Sequence, residues 1–197
     1  MNQEFAPFLE PTEIVDWKNS KVLAKTRELT RDWPEETDKA RRLFEWVRDV
    51  IKHSHDYKLN PVTCSASEVL KHGTGFCYAK CHLLVAMLRA CGLPAGFCYQ
   101  RKKGTGWRTY LHGYCAVHLP VTGWYRMDPR GNKPGVDAQF APPVEKLAYV
   151  IGLEGEWDDP RVRPKPLTDV LKALRAYRTW DEMLENTPDP PFIPPFE

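Results

Sequence analysis

No apolar run in this 197-residue chain is long enough to cross a bilayer, and no block of one charge sign stands out. The formal net charge is only +2, and Lys and Arg alternate with acids in stretches such as Arg27 to Arg48, so no basic stripe marks a nucleic-acid partner. Neither nucleic acid nor a membrane is an expected partner. The opening Met-Asn-Gln-Glu-Phe-Ala-Pro lacks a basic region followed by an apolar stretch, and a cytoplasmic address is the expectation. There is no internal repeat and no EF-hand calcium loop, and nothing in the chain demands a cofactor. Cysteine is present six times but without the density of a disulfide scaffold, so free thiols are expected of Cys64, Cys77, Cys81, Cys91, Cys98 and Cys115.

What remains is an ordinary globular composition, 42% apolar and 27% charged, in a chain that fits one domain. Its core is expected over about residues 35–130, with a helical extension and a proline-rich tail over about 160–197. The segment from Ile14 to Thr30 is loosely helical. A stronger helix follows from Glu35 or Thr37, because Ala40, Leu43, Phe44, Val47, Val50 and Ile51 recur at three- and four-residue steps. Ser65-Ala-Ser-Glu68 reads as a capping box, and Cys91-Gly92-Leu93-Pro94 as the stop of the next helix. From Gly96 the pattern changes to strands over Phe97 to Arg101, Tyr110 to Leu119 and Trp124 to Asp128, the last two joined by Pro120-Val-Thr-Gly123. Beyond Asp128 a loop is expected through Asn132, Pro134 and Gly135, followed by a helix from Leu167 to about Tyr177 and a second capping box at Thr179-Trp-Asp-Glu182. In the tail, Phe192, Ile193 and Phe196 are candidates to dock on the body.

Cys77 lies where the glycine-lined Gly73-Thr-Gly-Phe enters a helix. The uncompensated N–H groups there favour a thiolate and a developing oxyanion alike. Downstream stand His112, in Tyr-Leu-His-Gly-Tyr, and Asp128, in Tyr-Arg-Met-Asp-Pro. Cys, His and Asp together suit acyl transfer, in which a thiolate attacks a carbonyl, an imidazole carries the proton and a carboxylate orients the ring. Strand alternation puts Leu111, Gly113, Cys115, Val117 and Leu119 on a core face, and His112, Tyr114, Ala116 and His118 on an opposite, polar one. A turn centred on Val121 places Asp128 opposite Tyr114 and diagonal to His112.

These motifs resemble the transglutaminase-like superfamily of papain-type cysteine enzymes, which includes bacterial members regarded as cysteine proteases. The resemblance spans about Ala40 to Asp128 and rests on Ser65-Ala-Ser-Glu-Val-Leu, Gly75-Phe-Cys-Tyr-Ala, Leu88-Arg-Ala-Cys-Gly-Leu-Pro-Ala, His112-Gly-Tyr-Cys-Ala-Val and Gly123-Trp-Tyr-Arg-Met-Asp-Pro. It implies an α+β fold, with N-terminal helices and the nucleophile at a helix start packed on an antiparallel sheet. It also implies Cys77 as nucleophile, His112 as base, Asp128 as orienter, and the amide of a peptide or protein as substrate. Many bacterial members carry Ala-Trp after the catalytic histidine, where this chain has Gly113-Tyr114. Several carry a tyrosine near the position of His53, so the backbone N–H of Cys77 is the one oxyanion donor assigned.

Competing readings exist. Cys77 as an inert core thiol would leave a non-catalytic peptide- or protein-binding module on the same fold. A zinc site from Cys77 and Cys81 with His82 or His72 lacks the second ordered ligand pair. Cys81, one turn into the helix, reads as core, as do Cys64, Cys91, Cys98 and Cys115. His53, His55, His72 and His82 read as surface residues, with His53 the one candidate to line a cleft, and His118 reads as a rim residue. Trp107 and Trp124 are candidate walls of a substrate groove.

Overall fold

The computed structural model describes residues 3–191 apart from 105–107, so Trp107, Phe192, Ile193 and Phe196 lie outside the described residues. A 3-10 turn, Gln3–Phe8, leads to α1 (Ser20–Thr30) and α2 (Glu36–Val50). Then come β1 (Lys52–His53), α3 (Ser54–Tyr57), α4 (Ala66–His72), β2 (Thr74–Gly75) and α5 (Cys77–Ala90). The sheet strands β3 (Ala95–Lys103), β4 (Thr109–Leu119) and β5 (Gly123–Met127) follow, then the short β6 (Gln139–Ala141) and β7 (Val144–Lys146). The chain continues through β8 (Trp157–Arg163), α6 (Thr168–Ala176) and α7 (Trp180–Glu185). No described helix is long and apolar enough to cross a membrane.

Local chemistry sets the helix limits. α1 starts at Ser20 rather than near Ile14, because Asn19 accepts from Lys21 N at 3.0 Å as its cap while Thr12 Oγ1 holds Ile14 and Val15 in a turn. The α2 stripe of Ala40, Leu43, Phe44 and Val47 is fully buried, each large side chain contributing roughly 1.5–3 kcal/mol. Val50, expected in that stripe, is 50% exposed. The helix ends there, and Ile51 turns back to the core in an extended conformation. Both expected capping boxes form: Glu68 accepts from Ser65 N at 3.0 Å while Ser65 Oγ accepts from Glu68 N, and Thr179 and Glu182 open α7 in the same way.

α5 is the central helix. It is buried on nearly every side, between α2, α4 and the sheet, and encloses even Lys80, His82 and Arg89. Gly92, at φ +78°, turns the chain out of it, and Pro94 precedes β3. The sheet is antiparallel in the order β5-β4-β3-β8. Leu119 pairs with Gly123 and Cys115 with Met127, so the turn centres on Val121 and Asp128 emerges opposite Tyr114, as the sequence requires.

Because β5 stops opposite Cys115, the edge of β4 from Leu111 to Gly113 has no strand partner, and side chains from the first turns of α5 take its carbonyls. Tyr78 Oη donates to Leu111 O, and Cys81 Sγ to Gly113 O at 3.6 Å. Gly113 is required by this approach, since a Cβ there would stand 2.7 Å from Tyr78 Cδ1. The second sheet face is not the polar surface expected. Tyr114 and Ala116 are fully buried there with Cys98, against Trp124, Leu147 and Val162. Two covers account for this: the 3-10 turn, whose Phe8 lies 4.8 Å from the Trp124 ring, and the segment beyond the loop that follows Asp128, which forms β6, β7 and β8.

Candidate active site

α5 has no side-chain cap, because its N-cap residue is Phe76, and the free N–H groups of its first turn open where Cys77 begins the helix. Cys77 is 7% exposed, His112 1% and Asp128 0%. His112 Nε2 meets Asp128 Oδ2 at 2.7 Å, which leaves Nδ1 as the other ring nitrogen, and Cys77 lies close enough to the imidazole to favour its charged form. The structure thus brings together all three residues singled out from the sequence.

The carboxylate is fixed on both oxygens. Asp128 Oδ1 accepts from Arg130 N at 3.0 Å, closing a turn, and Oδ2 accepts from Ala148 N at 3.3 Å as well as from the imidazole. Tyr149 then stands edge-on to His112, with ring centroids 4.9 Å apart. Burial by itself would depress the His112 pKa. The facing Asp128 carboxylate and Cys77 overcome it, and the imidazole is pushed up to about 9.

Charge around the site is organised by Arg130. Its guanidinium grips Asp56 with two bonds, at 2.6 and 3.0 Å, and lies 5.7 Å from the Tyr149 ring centroid. Burial opposes that charge, but Asp56 holds the arginine above its ordinary pKa. Deeper in, Lys80 Nζ donates to Arg48 O at 3.1 Å and Ile51 O at 2.5 Å, capping the C-terminus of α2. Burial, reinforced by Arg130, pulls Lys80 down to about 7.

Burial pushes Cys64 up to about 11 and raises Cys81, Cys91 and Cys98 above the free thiol, which agrees with the core role expected of them. All six are unpaired.

Several histidines correct the surface reading. His53 is 6% exposed, edge-on to Phe76 with centroids 5.7 Å apart, and beside Gly75 in the β1–β2 bridge, so it belongs to the wall before Cys77. Burial lowers its pKa. His82 is completely buried, its Nδ1 2.6 Å from Cys64 O, and is held in the core rather than turned to a metal. Burial lowers it to about 4. Trp124 packs with Phe5, Phe8 and His118 away from the site and forms no groove wall. Among the described residues one group could offer metal ligands, His53, His55 and Asp56, whose ligand atoms lie within 4.8 Å of one another. Asp56 is already bound by Arg130 and by Lys133 at 2.7 Å, which places two cations where an ion would sit.

Sequence reasoning missed Ala148, Tyr149 and Arg130. The Asp128-Pro-Arg spacing held a signal for the last, since an aspartate commonly accepts from the N–H two residues on. The loop bearing Ala148 and Tyr149 carries no such mark.

Comparison with known proteins gives the following. The sequence model of the transglutaminase-like superfamily matches residues 24–129. A protein from Cytophaga hutchinsonii described as a putative cysteine protease is 16% identical, with a TM-score of 0.55, over 66% of this chain and 43% of that one. The periplasmic domain of TgpA from Pseudomonas aeruginosa is 20% identical, with a TM-score of 0.46, over 62% of this chain and 45% of that one. In both cases the shared region is less than half of the other chain. No curated protein matches.

Proposed function

The chain belongs to the transglutaminase-like superfamily and has its α+β fold, and from that premise we propose that it is a cysteine-dependent acyl-transfer enzyme acting on amide bonds of peptides or proteins. The observation that carries this reading is the His112 imidazole held between the Asp128 carboxylate and the Cys77 side chain at the start of α5.

The steps follow from the atoms present. The Cys77 sulfur attacks the amide carbonyl carbon, and the oxygen takes up the electron pair beside the N–H of Cys77. His112, its Nε2–H fixed on Asp128, delivers the proton from Nδ1 to the leaving nitrogen as the tetrahedral intermediate collapses to a thioester. Water or an amine, deprotonated by the same nitrogen, then attacks the thioester and releases Cys77. Hydrolysis, deamidation and transamidation share this path and differ in the amide that enters and the nucleophile that resolves the thioester.

Intact-mass analysis with a panel of glutamine peptides, with and without a primary amine, separates peptide scission, loss of the side-chain amide and amine adducts. Cys77→Ala should abolish whichever product appears. If no product forms and Cys77→Ala still binds peptides as the wild type does, the protein is a binding module. Full activity in Cys77→Ala would assign the nucleophile elsewhere.

A further inference from the structure

Cys77 is 7% exposed, and the C-terminal segment lies against elements on either side of the helix start that carries it. On one wall of the cleft, Val62 N donates to Arg178 O at 3.0 Å, Trp180 N to Asn60 Oδ1 at 2.8 Å, and the Trp180 ring stacks on His55 with centroids 6.0 Å apart. That wall continues through α3 and β1 to the strand before Cys77. On the other wall, Arg108 donates to Leu184 O and Glu185 O. Leu111 N donates to Pro188 O at 2.7 Å, and Asp189 is gripped by Arg101 at 2.6 and 2.8 Å and by Thr109 Oγ1 at 2.5 Å. Leu111 is the residue before His112, and its carbonyl accepts from Tyr78, the residue after Cys77. The segment from Trp180 to Pro190 therefore bridges both sides of the site and takes a main-chain donor on the open edge of β4.

An extended peptide presented to Cys77 would need that same donor, because strand addition at a free edge is how a sheet aligns a peptide backbone. We propose that Pro188-Asp189 is an internal occupant of the substrate channel, and that Arg101 with Thr109 forms a subsite for an acidic side chain of the peptide substrate. This rests on the acyl-transfer reading for what the channel serves, but not for its occupancy. Arg101 suits the role: on β3 it pairs in register with Leu111, and its guanidinium meets a carboxylate through two parallel bonds. Arg101 and Asp189 are 24% and 29% exposed, so the clamp is partly screened, and a segment held this way is displaceable by a competitor of the same chemistry.

The test is the rate of Cys77 alkylation by iodoacetamide in the full chain, read by peptide mass. Asp189→Ala should label about fivefold faster than the wild type, the change expected on losing one partly exposed ion pair. The synthetic peptide Leu-Glu-Asn-Thr-Pro-Asp-Pro-Pro, copying residues 184–191, should slow labelling of Asp189→Ala again, and the same peptide with Asn for Asp should not. Arg101→Gln should also label faster and should gain no protection from either peptide. Circular dichroism identifies any variant that fails to fold, and the two single variants back each other. Equal labelling of the wild type and folded variants, or equal protection by the two peptides, would overturn the proposal. Should labelling behave as expected while the glutamine-peptide assay yields no product, the occupied channel stands and the acyl-transfer chemistry falls.

Discussion

Replacing Gly113 with alanine adds one methyl group at the point where α5 and β4 approach most closely. That Cβ would lie 2.7 Å from Cδ1 and 3.3 Å from Cε1 of Tyr78, a ring only 2% exposed and tethered through its hydroxyl to Leu111 O. The ring has nowhere to retreat without giving up that bond, so either α5 shifts away from the sheet or Tyr78 leaves its site. Overpacking of this kind costs about 1–3 kcal/mol. At about 2–4 °C per kcal/mol for a domain of this size, the midpoint of thermal unfolding should fall by roughly 2–12 °C. Because Tyr78 adjoins Cys77 and Gly113 adjoins His112, the displacement falls across the pair proposed to react, and turnover should drop further than the loss of stability alone explains. Calorimetry and the mass-based product assay read the two effects separately. Pairing Gly113→Ala with Tyr78→Leu should recover part of the lost stability, since the branched side chain vacates the ring edge. Unfolding of Gly113→Ala within a degree of the wild type, at unchanged turnover, would refute the claim that this contact sets the register between helix and sheet.

Asp128→Asn should keep the fold and slow turnover by about 10²–10⁴, because an amide no longer selects the tautomer that leaves Nδ1 free to take a proton; a rate within a fewfold of the wild type would remove Asp128 from the site. Cys81→Ala should cost on the order of 1 kcal/mol and leave product formation intact, as befits a protonated core thiol; lost activity in a folded Cys81→Ala would reopen the single-nucleophile assignment. His112 and Lys80 act on stability in opposite senses. His112, raised to about 9, contributes stability that is full below its unfolded value near 6.5 and fades as pH rises through about 9. Lys80, lowered to about 7, binds fewer protons folded than unfolded up to its usual 10.5, so its contribution grows over that interval. Lys80→Met should cost on the order of 1–3 kcal/mol by stripping donors from Arg48 O and Ile51 O, and its stability should fall more steeply than the wild type's between pH 7 and 9; a parallel pH profile would refute the opposition.

Features governed by neighbours in sequence were legible before the structure. Ser65 and Glu68 cap α4 because they lie three residues apart, and a short turn at Val121 suffices to bring Asp128 diagonal to His112. Features governed by distant partners were not. β8 reads as Trp-Asp-Asp-Pro-Arg-Val-Arg, too charged for a strand, yet it pairs along β3 with Tyr99 opposite Asp159, and Pro160 is tolerated because this is an edge strand. Lys80 and His82 sit among apolar neighbours in α5, and only the carbonyls of Arg48, Ile51 and Cys64 waiting in the core explain their burial. The seat of Asp189 on Arg101 joins residues 88 apart, and no local pattern announces it.

On the mechanism proposed above, the bend at Gly92 divides the chemistry as well as the chain. Everything before it supplies the sulfur and the helix that presents it; everything after it supplies the imidazole, the carboxylate and the strands that hold them. Neither portion could then react alone, and each leaves bare the apolar surface that the other covers. Severing the chain in the exposed Gly92 turn and co-producing the two polypeptides should therefore give a split enzyme, silent as separate halves, whose regained turnover counts how many pairs have found each other.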